Sequence, residues 1–107
     1  MPHADLKYSV DLPIDPKALL EGIEAILQRH DPGSGDCKGR AYPAAVSHHP
    51  HLIAEISLLP KAHRDAAFMD ALRKDLADFL KDALPRPCWM SMNVTFSNPD
   101  YVTEWLE

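Results

Sequence analysis

The spacing of apolar residues switches from a two-residue period to a helical period and back again, and the chain makes this switch twice. A sequence patterned that way has to place crossover helices against a sheet. His3 to Val10 alternates, with Ala4, Leu6, Tyr8 and Val10 opposite His3, Asp5, Lys7 and Ser9, which predicts a half-buried strand. Asp15-Pro16 then starts a helix, since the carboxylate accepts from orphan amides and proline suits the first helical position. Leu19, Leu20, Ile23, Ile26 and Leu27 carry that helix to His30, before the turn formers Asp31-Pro32-Gly33-Ser34-Gly35.

Gly39 to Val46 predicts a second strand with Arg40, Tyr42, Ala44 and Val46 on one face, and Pro43, which lacks an amide donor, puts it on a sheet edge or marks a bulge there. Leu52 to Leu59 is a nearly continuous apolar run and predicts the most buried strand. The short link Ser47-His48-His49-Pro50 predicts an antiparallel hairpin between these two strands. From Lys61 to Ala83 the residues Phe68, Met69, Leu72, Leu76, Phe79 and Leu80 fall on one helical stripe, which ends before Pro85 and Pro87. Cys88 to Phe96 alternates again, and 98–107 forms a short tail.

The implied fold class is α/β (α+β): a double βαβ with a four-stranded sheet and two helices on one face. The chain of 107 residues is one domain, 1–107, with pseudo-repeats at about 1–47 and 51–97. Ile53, Leu59 and Trp89 are expected on the uncovered sheet face, where a second subunit would shield them. A formal net charge of -5 disfavours nucleic acid, since the only basic cluster, Lys38 to Arg40, is short. No stretch has the roughly 20 apolar residues of a bilayer span, and no basic, apolar leader is present, so the expected location is cytoplasmic, with no membrane partner.

Among candidate reactive groups, Met1-Pro2-His3 is the most informative. Initiator methionine is commonly removed before proline, which would leave Pro2 as a secondary amine at the start of a strand. Burial and neighbouring cations bring such an amine toward a neutral pKa, where it serves as a general base. Arg40 offers a planar fork for a carboxylate or a developing enolate. Tyr8 and Tyr42 are candidate substrate-binding donors, set against the ordinary role of strand tyrosines in packing.

Pro2-His3 opening the first strand, Leu6-Lys7-Tyr8-Ser9 continuing it and Lys38-Gly39-Arg40-Ala41 in the second resemble the tautomerase superfamily. More narrowly they resemble its 5-carboxymethyl-2-hydroxymuconate delta-isomerase group, whose members serve aromatic catabolism. The resemblance implies a cytoplasmic homotrimer with sites at subunit interfaces. It also implies a cofactor-independent isomerase or tautomerase that moves a proton in an unsaturated 2-hydroxy or 2-keto acid. By position, Pro2 would be the base and then the acid, and Arg40 the carboxylate or enolate partner. The isomerase group carries a further arginine after its first strand, where this chain reads Ser9-Val10-Asp11-Leu12, so a dicarboxylate would lose one clamp. The alternative is a non-catalytic small-ligand binding or interaction module on the same fold.

His48-His49-Pro50-His51 brings three imidazoles together, but strand alternation and Pro50 set them against forming a metal centre, and no metal is assigned. His3 is expected to pack or hydrogen-bond facing away from Pro2. Cys37 and Cys88 are expected to be free thiols; Lys38 beside Cys37 could lower that thiol's pKa, but no base is identifiable to make it a nucleophile, so a spectator thiol is expected. Trp105 in the tail is a candidate cover for a neighbour's pocket.

Overall fold

The computed structural model covers residues 1–107 and contains four strands and two long helices. They run β1 (His3–Ser9), α1 (Pro16–His30), β2 (Lys38–Ala44), β3 (His51–Leu58), α2 (Ala66–Ala83) and β4 (Trp89–Phe96), with a short 3-10 turn at Pro32–Ser34. Sheet order is β2-β1-β3-β4. β1 runs parallel to β2, β3 runs parallel to β4, and the two halves join through the antiparallel pair β1–β3. This is the double βαβ arrangement with both helices on one face, and it places Pro43 on an edge strand.

The hairpin expected between β2 and β3 does not form. After β2 the chain passes over the end of β1 and returns as β3 on its far side, so β1 separates the two. The Ser9 hydroxyl, on β1's last residue, accepts the His51 amide at 3.0 Å and anchors the crossing. His49 makes the turn with φ of 65°. The apolar run of β3 is the physical reason: Leu52, Ala54, Ile56 and Leu58 are essentially fully buried, which requires a central place beneath both helices.

Both helices begin where a carboxylate satisfies free amides. Asp15 accepts from Ala18 N at 3.1 Å and Asp65 from Phe68 N at 2.9 Å. The second cap shortens α2 relative to the stripe expected from Lys61, because Lys61 to Arg64 form a turn closed by the Arg64 amide on the Lys61 carbonyl. Arg64 then reaches inward, donating to the Leu59 carbonyl at 2.6 Å and to Asp31 at 2.7 and 3.0 Å. The loop after α1 is thus fixed to the loop before α2. Leu19, Ile23, Ile26 and Leu27 of α1 and Leu72, Leu76 and Leu80 of α2 complete a core over Ala4, Leu6 and Tyr8. No helix is long and apolar enough to cross a membrane.

The uncovered sheet face is more polar than expected. Pairing places Lys38, Arg40 and Tyr42 beside His3, Asp5 and Lys7, then Glu55 and Ser57, then Asn93 and Thr95. Ile53 and Trp89 do lie on this face, but Leu59 lies beyond the end of β3.

Candidate functional site

The start of β1 is a crowded, cationic corner. Pro2 is fully buried, and its carbonyl accepts the Lys38 amide at 3.0 Å, which extends the β1–β2 pairing by one step. Met1 precedes it, so in this chain the Pro2 nitrogen is a tertiary amide without a basic lone pair. The Met1 amine has its pKa lowered, first by burial and then by the charges of Lys61, Arg64 and Lys38. Lys38 Nζ also donates to Met1 Sδ at 2.7 Å. Met1 and Lys38 share a cavity of about 290 Å3 with Asp36 and the tail residues Thr103, Glu104 and Trp105.

Around the strand edge, on the uncovered face, a larger cleft of about 510 Å3 lies between the sheet and the tail. Its floor includes Arg40, His3, Asp5, Glu55 and Asn93, and Tyr101 closes one side. Arg40 is already engaged: Nε donates to Asp5 and Nη2 donates to His3 Nδ1 at 3.2 Å. The other imidazole nitrogen, Nε2, lies 2.7 Å from the Tyr101 hydroxyl. The His3 pKa is lowered, first by burial and then by Arg40, Lys38 and the chain-terminal amine, with Asp5 opposing. A neutral imidazole therefore predominates at neutral pH.

The sequence-derived candidates thus fall in different places. Arg40 lines the larger cleft and Met1, next to Pro2, lines the smaller cavity, and neither space is lined by both Pro2 and Arg40. Tyr8 belongs to the core on the helix side of the sheet. Tyr42 is exposed on the edge strand beside Lys7. His3 does hydrogen-bond on the face away from the core, as expected. Cys37 is the spectator thiol expected: burial, reinforced by Glu24, pushes its thiol up to about 11 and outweighs the lowering by Arg40 and Lys38. The histidine run is split, with His48 and His49 in ring contact while His51 Nδ1 lies 2.8 Å from the His49 carbonyl. Trp105 is largely exposed yet borders the cavity beside Met1.

Two site residues escaped the sequence reading, Lys38 as a cavity wall and Tyr101. For Tyr101 a signal existed in Asn98-Pro99-Asp100, a turn-forming run immediately before an aromatic residue. The Asn98 carboxamide accepts the Asp100 amide at 2.8 Å, and the Asn98 carbonyl accepts the Tyr101 amide at 3.0 Å. That turn folds the tail back over His3.

Comparison with known proteins places this geometry on a familiar fold. No family model and no curated protein sequence matches the chain. Among solved structures it is similar to a 5-carboxymethyl-2-hydroxymuconate isomerase from Deinococcus radiodurans R1, at 19% identity and a TM-score of 0.75, covering 99% of this chain and 90% of that one. A 5-carboxymethyl-2-hydroxymuconate delta-isomerase aligns at 18% identity and a TM-score of 0.73, over 98% of this chain and 88% of that one. A macrophage migration inhibitory factor-like protein from Entamoeba histolytica aligns at 13% identity and a TM-score of 0.66, over 96% and 95%. The chain has the tautomerase fold, the one its Pro2-His3 opening and doubled element order resemble.

Proposed function

We propose that the chain, once Met1 is removed, is a cofactor-independent tautomerase or isomerase of unsaturated 2-hydroxy or 2-keto acids. It would act in the cytoplasm as a homotrimer, with Pro2 as general base and acid. The observation that carries this reading is the electrostatics at the head of β1. An amine one residue outside Pro2 already has its pKa lowered by burial and by Lys61, Arg64 and Lys38. Pro2 is fully buried with Met1 in place, and its amine, once freed, would stand one residue further into the same corner. A base of that kind is partly unprotonated near neutral pH, where proton transfer is most effective.

In the forward direction the Pro2 nitrogen takes the enol hydroxyl proton. The electron pair of that O–H bond forms the carbonyl as the C=C π bond breaks, and the π pair takes the proton back from the prolinium at the adjacent carbon, leaving the keto acid and the neutral amine. Negative charge develops on oxygen during the transfer and calls for a donor. Arg40 retains Nη1 for that charge or for the substrate carboxylate, its Nε and Nη2 being engaged by Asp5 and His3. It lines the cleft around the strand edge rather than the cavity beside Met1, so a substrate would have to span that edge to meet both Arg40 and Pro2. With no arginine in Ser9-Val10-Asp11-Leu12, a monocarboxylate suits the site better than a dicarboxylate. Removal of Met1 would also empty its share of the cavity that Lys38 and Trp105 border.

A second reading, a non-catalytic ligand-binding or interaction module, is favoured by one observation: with Met1 in place the Pro2 nitrogen is an amide. Intact mass of untagged protein and ketonisation of phenylenolpyruvate on the same sample separate the two. The catalytic reading expects loss of Met1 with rate enhancement, and a loss of about 10²-fold or more in Pro2→Ala with the oligomer intact. Retained Met1 without enhancement supports the module instead.

A further inference from the structure

The end of the sheet farthest from Met1 carries a hollow of a different kind. A groove of about 460 Å3 is lined by His49, Pro50, Pro87, Cys88 and Trp89, with no carboxylate among them. The Trp89 amide donates to the Pro50 carbonyl at 2.9 Å, which ties the two walls together. A proline on each wall restricts the backbone, so filling the groove costs little ordering. Trp89 nevertheless stands 73% exposed. Arg86, adjoining Pro87, donates only to the backbone carbonyls of Lys81 and Leu84 and pairs with no acid. An indole, two proline rings and a guanidinium without a counter-charge make an apolar seat with a cationic rim.

The complementary surface is on the tail. Beyond Tyr101, which is anchored on His3, Val102, Trp105 and Leu106 are exposed, Trp105 at 87%. Asp100, Glu104 and Glu107 accompany them, and 98–107 contains no lysine or arginine. These residues are out of reach of their own groove. Trp105 borders Lys38 at the β2 edge, whereas Trp89 is on β4, three strand spacings or about 14 Å across the sheet. Lys38 is level with His3, Ser57 and Thr95, and Thr95 is six residues, about 20 Å, along β4 from Trp89. Trp105, four residues past its Tyr101 anchor, can advance at most about 14 Å.

We propose that the groove at Trp89 receives residues 102–107 of a second copy of this chain, with Trp105 and Leu106 seated on Trp89, Pro50 and Pro87 while Glu104 and Glu107 face Arg86. Two copies with a net charge of -5 each repel overall, so the acidic tail needs a locally cationic seat, which Arg86 supplies. Giving and receiving surfaces differ, so the contact is head-to-tail: each copy gives one tail and accepts another. The pairing of a buried indole with a guanidinium is the composition expected where a few residues dominate an interface. It stands whether or not the chain is a tautomerase.

The test uses the untagged chain, whose two tryptophans fall one in the groove and one in the tail. Sedimentation velocity over a concentration series reads the assembly state. Trp105→Phe leaves Trp89 as the only indole, and Trp89→Phe leaves Trp105. Each emission is expected to move to the blue as the protein assembles, because each indole leaves water. Trp105→Ala is expected to raise the dissociation constant by about 30-fold or more. Arg86→Glu is expected to weaken assembly by about tenfold, and adding Glu104→Lys and Glu107→Lys to it should recover the loss, which a misfolded variant would not do. The proposal is overturned if the chain stays monomeric across the series, or if it assembles with both indoles still emitting as in water. Assembly that survives both Trp105→Ala and Arg86→Glu also overturns it and moves the contact to another surface.

Discussion

The two faces of one sheet are built from alternate residues of the same strands, yet they obey different physics. On the helix face, Leu6, Leu52, Ile56 and Leu58 pack against Ile23, Leu72, Leu76 and Leu80 with almost no exposure. On the other face, one residue away along each strand, stand His3, Asp5 and Arg40, joined by directional bonds, with Glu55 paired to Lys7 beside them around a cleft. The first face is held by area removed from water, which tolerates approximate geometry. The second depends on which nitrogen carries a proton, so small changes there affect chemistry more than folding.

Breaking the helix face should give the largest stability effect. Leu76→Ala, at a side chain with no exposure, is expected to cost about 2–5 kcal/mol in denaturant unfolding. Tyr42→Ala on the uncovered face should stay within about 0.5 kcal/mol. Comparable losses from both would show that the uncovered face also carries stability, as a buried subunit interface would.

The helix layer has one charged exception, and it sharpens the contrast. Asp31 holds His63 at 2.8 Å and the buried Arg64 at 2.7 Å. Asp31→Ala leaves the Arg64 charge without its carboxylate and is expected to cost up to about 3 kcal/mol. The hydrogen bonds from His63 and then Arg64 lower the Asp31 pKa from 3.8 to about 2. Because the folded-state value is depressed, its stabilisation is complete above the unfolded value of 3.8 and is lost as pH falls through about 2. Wild-type unfolding followed from pH 5 to 2 should show this loss, and Asp31→Asn should flatten the curve.

The smallest expected effect lies on the uncovered face. Lys7 and Glu55 pair at 3.1 Å with both side chains about half exposed. A double-mutant cycle should return about 0.2–1 kcal/mol, decreasing with added salt. A coupling well above that range would mean the pair is shielded from water, as it would be inside an oligomer.

Local chemistry made much of this fold legible. Asp15-Pro16, the alternation of Ala4, Leu6 and Tyr8, and the Leu72–Leu76–Leu80 stripe each have a structural consequence set within a few residues. The site was less legible. Arg40 was visible as a strand arginine, but its partners Asp5 and His3 lie 35 and 37 residues away in sequence. Tyr101, which lies 98 residues from His3, had only its preceding turn as a signal.

What the sequence determined by itself was the order of strands and helices and the residues that share a face, because backbone periodicity fixes both. It also restricted Pro43 to an edge or a bulge, since proline has no amide to donate, and the sheet order chose the edge. Only the tertiary structure decided that β1 sits between β2 and β3, because burying all of Leu52, Ala54, Ile56 and Leu58 is a demand of the whole sheet. It alone decided that Arg40 faces His3 and Asp5, and that Tyr101 returns to meet them. Hydrogen-bond direction is set by which groups meet across the fold, and no local pattern encodes such a meeting.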